Sequence, residues 1–229
     1  MVEDITSGLE GLDCYRKRDE AIKRVFPEYG PGYTNKITIP TNILDKETFN
    51  FFSLTIAGPS GDIKTKRLPI DAYLQIVAAS NYKQRLRMTT LYYHAEKHNY
   101  AVAGTGNKDE HRQGFFVKYG DGGADLKPIA HLFKIQVYQL AEALGVPADI
   151  IGRVPTTDTY SAGSTQEEFF FGLDFYRMDM LWYAMENDVS PKDAATVLNL
   201  TVEQVERAYK HIQRKIDATE YLRAAPLEL

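Results

Sequence analysis

The stretch from Asp71 to about His98, together with the six residues after it, constrains the fold more than any other part of the chain. Tyr73, Ile76, Val77, Met88, Leu91 and Ala95 recur at helical spacing, which predicts one long helix. Asn99-Tyr100-Ala101-Val102-Ala103-Gly104 then reads as a short buried strand ending in glycine. A long helix that feeds a short apolar strand is the pattern of an α/β unit, so all-β and simple bundle architectures fall away.

The rest of the chain is arranged around that unit. Residues 13 to 26 read as a helix that stops before Pro27, and 27 to 33 as a Pro/Gly loop. Residues 49 to 57 and 63 to 70 are strand-like and joined by Gly58-Pro59-Ser60-Gly61-Asp62, which predicts a β-hairpin. Lys134 to Leu144 reads as a helix closed by Gly145, with Pro147 beyond. From 161 to 229 the pattern is helical. Thr165 with Glu168, Ser190 with Asp193 and Thr201 with Gln204 are N-cap signatures, and Pro191 suits a first helical position. Val202, Val205, Ala208, Ile212 and Ile216 form an apolar stripe on the last helix. The expectation is one domain over 1–229, with an α/β part over 1–160, a hairpin insertion near 37–70 and a helical tail over 161–229.

Composition removes several classes of function. With 27 Lys+Arg against 31 Asp+Glu the formal net charge is −4, so there is no basic surplus for a nucleic-acid backbone. No run approaches 18 apolar residues, and the N-terminus has no apolar signal core. Cys14 is the single cysteine, which excludes an intrachain disulfide and favours a reducing, cytoplasmic compartment.

The densest chemical constellation is 104 to 128, GTGNKDEHRQGFFVKYGDGGADLKP. Its glycines allow backbone to approach a ligand closely. Asp109, Glu110, Asp121 and Asp125 beside Lys118 and Lys127 suit a phosphate and Mg²⁺ site, although a solvated acidic turn has the same composition. Asn81 and Arg85, four residues apart, share a helix face and can hold a carboxylate or phosphate, whereas Arg87 points elsewhere. Pro155-Thr156-Thr157-Asp158-Thr159 reads either as a phosphate or metal contact or as an ordinary capping loop. His94 and His98 have metal-compatible spacing but no third ligand, and Cys14 has no evident His partner. Ser7-Gly8-Leu9-Glu10-Gly11-Leu12-Asp13 lacks the preceding strand of a phosphate loop and reads as a connection into a helix.

In order along the chain, NYKQRLRM (81–88), the 104–128 segment and PTTD (155–158) resemble the motifs of the NAD synthetase family of N-type ATP pyrophosphatases. The resemblance implies an adenine nucleotide α-hydrolase-like fold with a Rossmann-like parallel sheet. It implies adenylation of the nicotinate carboxylate of deamido-NAD by ATP, then amidation by ammonia. Carried over by motif, Thr105, Lys134 and Thr156 would contact ATP, and Glu110 and Thr156 would bind Mg²⁺. Asn81, Arg85, Phe115, Lys118, Asp121 and Asp125 would hold deamido-NAD. Asp121, with Glu110, would be catalytic, holding or deprotonating ammonium. The family pattern also implies a homodimer with the long helix at the interface. No amidohydrolase domain is visible, which points to the ammonia-dependent kind.

Two departures qualify the resemblance. The family's first strand and SGG-x-DS loop have no counterpart here, and VEDI (2–5) resembles the end of a later strand. The expectation is an N-terminally truncated fold short of roughly two βα units, impaired in catalysis by itself. A catalytically incomplete fragment, or half of a split synthetase, is the alternative that this absence raises. Tyr221 stands where many members carry histidine. A remoter rival is a helix-turn-helix over 190–215, which the near-balanced charge of residues 201–217 opposes.

Overall fold

The computed structural model describes residues 3–39, 43–45, 51–157 and 160–228. Two short N-terminal helices, α1 (Thr6–Gly11) and α2 (Cys14–Val25), lead to a three-stranded sheet of β1 (Thr34–Thr38), β2 (Ser53–Ala57) and β3 (Ile63–Arg67). The long helix α3 spans Ile70–His98. Then come α4 (Lys108–Gln113), α5 (Lys134–Ala143), α6 (Ala148–Ile151) and the two-residue strands β4 (Thr156–Thr157) and β5 (Ser164–Thr165). A π-helical turn, Glu167–Phe171, opens the C-terminal region of α7 (Phe175–Glu186), α8 (Pro191–Leu198), α9 (Val202–Ala218) and α10 (Glu220–Arg223).

The hairpin expected over 49–70 is present as β2 and β3, paired antiparallel from Ser53↔Arg67 to Ala57↔Ile63; residues 49 and 50 lie outside the described residues. It carries a third strand that the alternation did not announce. β1 pairs antiparallel with β2, and its Asn35 and Ile37 point inward. Leu54 and Ile56 of β2 join Ile37, Phe26, Ile22 and Ile76 in one core between α2, the sheet and α3. Asn35 is a fully buried polar residue there, and its Nδ2 donates to the Tyr29 hydroxyl at 2.7 Å.

The parallel sheet is the expectation that needs correction among the described residues. The segment 99–104 does not form a strand. Asn99 takes a left-handed conformation that ends α3, and parallel pairing is limited to an isolated bridge between Ala103 and Leu126. A parallel ladder needs a partner strand, and Leu126 sits in a loop that offers one residue only. The segment SGLEGLD is also more regular than a connection, because its first five residues lie in α1.

A second core joins the C-terminal helices around Trp182, Leu181 and Met178 of α7 and Val205, Ala208 and Ile212 of α9. Ser190 caps α8 by accepting the Asp193 N–H, and Thr201 with Gln204 forms a full capping box on α9, as their spacing predicts. The helix-turn-helix rival fares poorly. α9 buries its apolar stripe in this core, its Arg207 Nε donates to the Leu44 carbonyl at 2.7 Å, and Lys215 turns inward to the carbonyls of Phe170 and Phe171. No described helix is long and apolar enough to cross a membrane.

His211, on the same helix, is packed against this core with its Nε2 buried and unpartnered. Burial, reinforced by the Lys215 charge, pushes its pKa down to about 4. The unfolded chain therefore binds a proton that the folded chain refuses between about pH 6.5 and 4, so this residue costs stability as pH falls through that window. Relative to His211→Asn, the wild type is expected to lose up to about 3 kcal/mol over this range. Urea unfolding of both proteins at pH 7.5 and pH 4 measures it; parallel losses would show that His211 does not titrate in this way.

Candidate functional site

A cleft of about 960 Å³ runs along α3, over α4 and the loop that follows it, to the start of α5 and the C-terminal helices. It gathers, from distant parts of the chain, Asn81, Arg85, Thr105, Glu110, Phe115, Lys118, Asp121, Lys134 and Thr156. These are the residues picked out by motif, with one exception. Asp125 lies outside the cleft lining. Its carboxylate is committed locally, accepting the Val102 N–H at 2.7 Å and the Tyr92 hydroxyl at 3.1 Å. Asp158 lies outside the described residues.

Glu110 owes its position to a helix cap. Asn107 accepts the Glu110 N–H at 2.9 Å, and Glu110 Oε2 accepts the Asn107 N–H at 3.1 Å. This reciprocal capping box pins the carboxylate at the first turn of α4. Gln166 Nε2 donates to its other oxygen at 3.3 Å. Burial pushes the Glu110 pKa up, Lys134 opposes the shift, and Asp121 adds to it. Asp121 lines the same cleft and acts electrostatically on Glu110.

The glycine-rich loop is folded back on itself. Asp121 Oδ1 accepts the Val117 N–H at 2.8 Å. Gly114 ends α4 at φ +79°, where a Cβ would lie 2.4 Å from the Thr219 Cβ. Gly122 leaves no more room, with the Phe116 ring 2.4 Å from where its Cβ would stand. These close approaches, more than ligand contact, explain two glycines of the motif. Phe115 stacks on Phe170 at 4.8 Å between ring centroids and meets Phe171 edge-on at 5.5 Å. Lys118 Nζ donates to the carbonyls of Tyr221 (3.0 Å) and Ala224 (3.1 Å), tying the C-terminal segment to the cleft wall. Arg85 Nε reaches the Lys118 carbonyl at 3.3 Å.

Sequence reasoning missed several lining residues. Arg87 lines the same cleft as Asn81 and Arg85 rather than pointing elsewhere, because a flexible guanidinium reaches beyond its helix face. Gln166 had no motif at all, and only its contact with Glu110 reveals it. Lys134 was found by resemblance; Asp109, expected with the phosphate and Mg²⁺ candidates, is instead fully buried outside the cleft lining, where it accepts the Lys134 N–H, and Asp179, which no motif marked, accepts that of Ile135. Burial raises both carboxyl pKa values, and for Asp109 the neighbouring Asp179 adds to it. The histidine pair is not a metal site in this fold: His94 Nε2 bonds Glu3 at 2.6 Å, and His98 stacks on Tyr100. Cys14 is buried.

Among the described residues no group of three or more His, Cys, Asp or Glu side chains could hold a metal ion. Glu110 and the Thr156 hydroxyl offer two hard oxygens on one cleft. That partial donor set fits Mg²⁺, which keeps several waters and takes its other ligands from substrate phosphates.

Cationic side chains, a stacked aromatic wall and one shielded carboxylate make this a cleft for a phosphorylated, ring-bearing ligand. Comparison with known proteins agrees with that class. Residues 53–226 match the family described as NAD synthase. The chain is 49% identical over 227 residues to the NH(3)-dependent NAD(+) synthetase of Mesorhizobium japonicum, covering 99% of this chain and 71% of that protein. It is 48% identical over 226 residues to the synthetase of the same name from Rhizobium meliloti, covering 99% and 67%. Among solved structures, the NMN synthetase of Francisella tularensis matches with a TM-score of 0.50 and 26% identity, over 69% of this chain and 62% of that one. The chain belongs to the NAD synthase family, and its fold is of the adenine nucleotide α-hydrolase-like kind.

Proposed function

We propose that the protein is an ammonia-dependent NAD synthetase. The observation that carries this reading is the convergence, in one cleft, of Asn81, Arg85, Glu110, Phe115, Asp121, Lys134 and Thr156 from separate segments of the chain. In the reaction, an oxygen of the nicotinate carboxylate of deamido-NAD attacks the α-phosphorus of ATP and pyrophosphate leaves. Ammonia then adds to the acyl carbon of the adenylate, AMP departs, and the nitrogen gives up a proton to yield the amide. The protein has little covalent work in this scheme, so its contribution is positioning and charge compensation.

Lys134 and Thr105 hold the triphosphate, and Thr156 touches both it and the metal. Mg²⁺, when bound at Glu110 and Thr156, offsets the charge of the phosphate oxygens. Asn81 and Arg85 orient the dinucleotide, with Phe115 against the pyridine ring and Lys118 at the rim. Asp121 holds the incoming ammonium and takes its proton. Asp125, tied to Val102 and Tyr92, acts on a ribose only from outside the cleft lining.

The second subunit of a homodimer is part of this proposal. α3 leaves Leu74, Leu91 and Tyr93 more than half exposed, on different sides of the helix. A partner subunit seated on α3 would cover part of this apolar surface.

The reading is tested by following NAD, AMP and pyrophosphate with ATP, Mg²⁺ and ammonium, offering deamido-NAD or nicotinic acid mononucleotide as acceptor. Stoichiometric products from deamido-NAD support it, at however low a rate; turnover of the mononucleotide alone, or of neither, overturns it. Arg85→Ala is expected to weaken deamido-NAD binding about tenfold or more, the value of a charged hydrogen bond, while leaving ATP affinity nearly unchanged. Calorimetry with each ligand checks this, and equal losses for both would place Arg85 outside the dinucleotide site.

A further inference from the structure

The first turn of α5 is held by buried carboxyls from elements far apart in sequence. Asp109 of α4 is fully buried, and its Oδ2 accepts the Lys134 N–H at 2.8 Å. Asp179 of α7 is 3% exposed, and its Oδ2 accepts the Ile135 N–H at 2.9 Å. The preceding N–H, of Phe133, is taken by Gln136 Oε1 at 3.0 Å. The two aspartyl groups act on each other electrostatically, and Oδ1 of each is buried without a hydrogen-bond partner.

Capping alone does not call for this arrangement. A serine or aspartate at the position of Phe133 would accept the N–H of the second or third helical residue from the helix's own chain, leaving only the Lys134 N–H to an outside acceptor, without sinking two carboxyls into the interior. The added effect is a joint. Asp109 precedes Glu110 on α4, and Lys134 supplies one of the N–H groups that the pair grips. The cleft's shielded carboxylate and one of its lysines are thereby fastened to a common point, and α7, through Asp179, anchors that point to the C-terminal core.

We propose that Asp109 and Asp179 are positioning residues that fix Lys134 relative to Glu110 and thereby govern affinity for the nucleoside triphosphate. This rests on the reading that Lys134 contacts ATP. Neither aspartate lines the cleft, so their effect on a ligand is exerted through the first turn of α5.

The test compares Asp109→Ala, Asp179→Ala, Asp109→Asn, Asp179→Asn and Lys134→Ala with the wild type, for KM of each substrate, kcat, and ATP affinity by calorimetry well below each Tm. The alanine variants are expected to raise KM and Kd for ATP about tenfold or more, with kcat and the KM for deamido-NAD changed far less. The asparagine variants are expected to stay within about threefold, because an amide keeps the acceptor for the backbone N–H and offers a donor to the facing carboxylate. Alanine variants that lose Tm yet keep wild-type ATP affinity would overturn the proposal and leave the pair a purely structural one. If an alanine variant does not fold, Asp109→Ser or Asp179→Ser takes its place, since serine keeps a polar atom in the buried site but is one bond too short to hold the backbone N–H. Lys134→Ala separates the two levels. If it binds ATP like the wild type, the role assigned to Lys134 fails and this proposal with it; if it loses ATP affinity while the aspartate variants do not, only the positioning role fails.

Discussion

Glu110→Gln is expected to slow pyrophosphate release by about 10²-fold or more, with part of the loss recovered at high Mg²⁺. The amide preserves the oxygen that accepts the Asn107 N–H, so α4 keeps its cap. What is lost is the negative charge that burial makes costly and that a bound cation would compensate. Asp121→Asn is expected to fail later. Its amide oxygen still accepts the Val117 N–H, so the loop keeps its shape. Without the carboxylate, ammonium is no longer held and deprotonated, so pyrophosphate appears in the first turnover while adenylate accumulates. Rapid-quench measurement of pyrophosphate, adenylate and NAD distinguishes the two. Because Asp121 acts electrostatically on Glu110, the double variant should fall short of the product of the single losses. Equal loss of pyrophosphate release in both single variants, with no response to Mg²⁺, would show that the two carboxylates do not divide the work in this way.

Gly114→Ala is expected to destabilise the protein by about 3 kcal/mol, combining a left-handed alanine with overpacking of a filled site. The obstacle is the Thr219 Cβ, 2.4 Å from the new methyl group, and a Cβ cannot rotate out of the way. Relief requires the end of α9 to move away from α4. That same segment carries Arg223, whose guanidinium bonds the carbonyls of Arg112 and Ile216, and Tyr221, whose carbonyl receives Lys118. For a domain of this size the Tm should drop by roughly 6–12 °C. Thr219→Gly in the same molecule should restore part of it by removing the obstructing atom. A Tm unchanged by the alanine would mean that the helix ends separate at no cost.

What was legible in the sequence follows how local the cause is. The helix over 13–26, the helix opened by Lys134, and the caps at Ser190 and Thr201 are set by residues within one turn, and each is found where the pattern places it. The β2–β3 hairpin was announced by its own turn residues. β1 was not, because its alternation becomes meaningful only once Ile37 has α2 and α3 to face. The strand expected at 99–104 failed for the converse reason, since buried apolar character does not supply a ladder partner. At the site, the residues carried over by motif line one cleft, Asp125 excepted, while Arg87 and Gln166 of the same lining were missed. Asp109 was read as a candidate for a phosphate and Mg²⁺ site and Asp179 carried no signal; their shared role at α5 was invisible, because it arises only where α4 and α7 both meet the start of α5.

The π-helical turn has a consequence for how the molecule comes apart. Successive side chains of a helical turn fan outward, so its three adjacent phenylalanines face three directions. Phe169 lies against Tyr160 and the sheet-side core, Phe170 stacks on Phe115, and Phe171 is buried among the C-terminal helices. The Glu168 carbonyl within the same turn receives the N–H of Ile39, just beyond β1. One turn of backbone is thus shared property of both cores. Neither can be exposed to water without dismantling the turn on which the other closes, so the three-stranded sheet and the C-terminal helices are bound into one cooperative unfolding unit rather than two that melt in sequence.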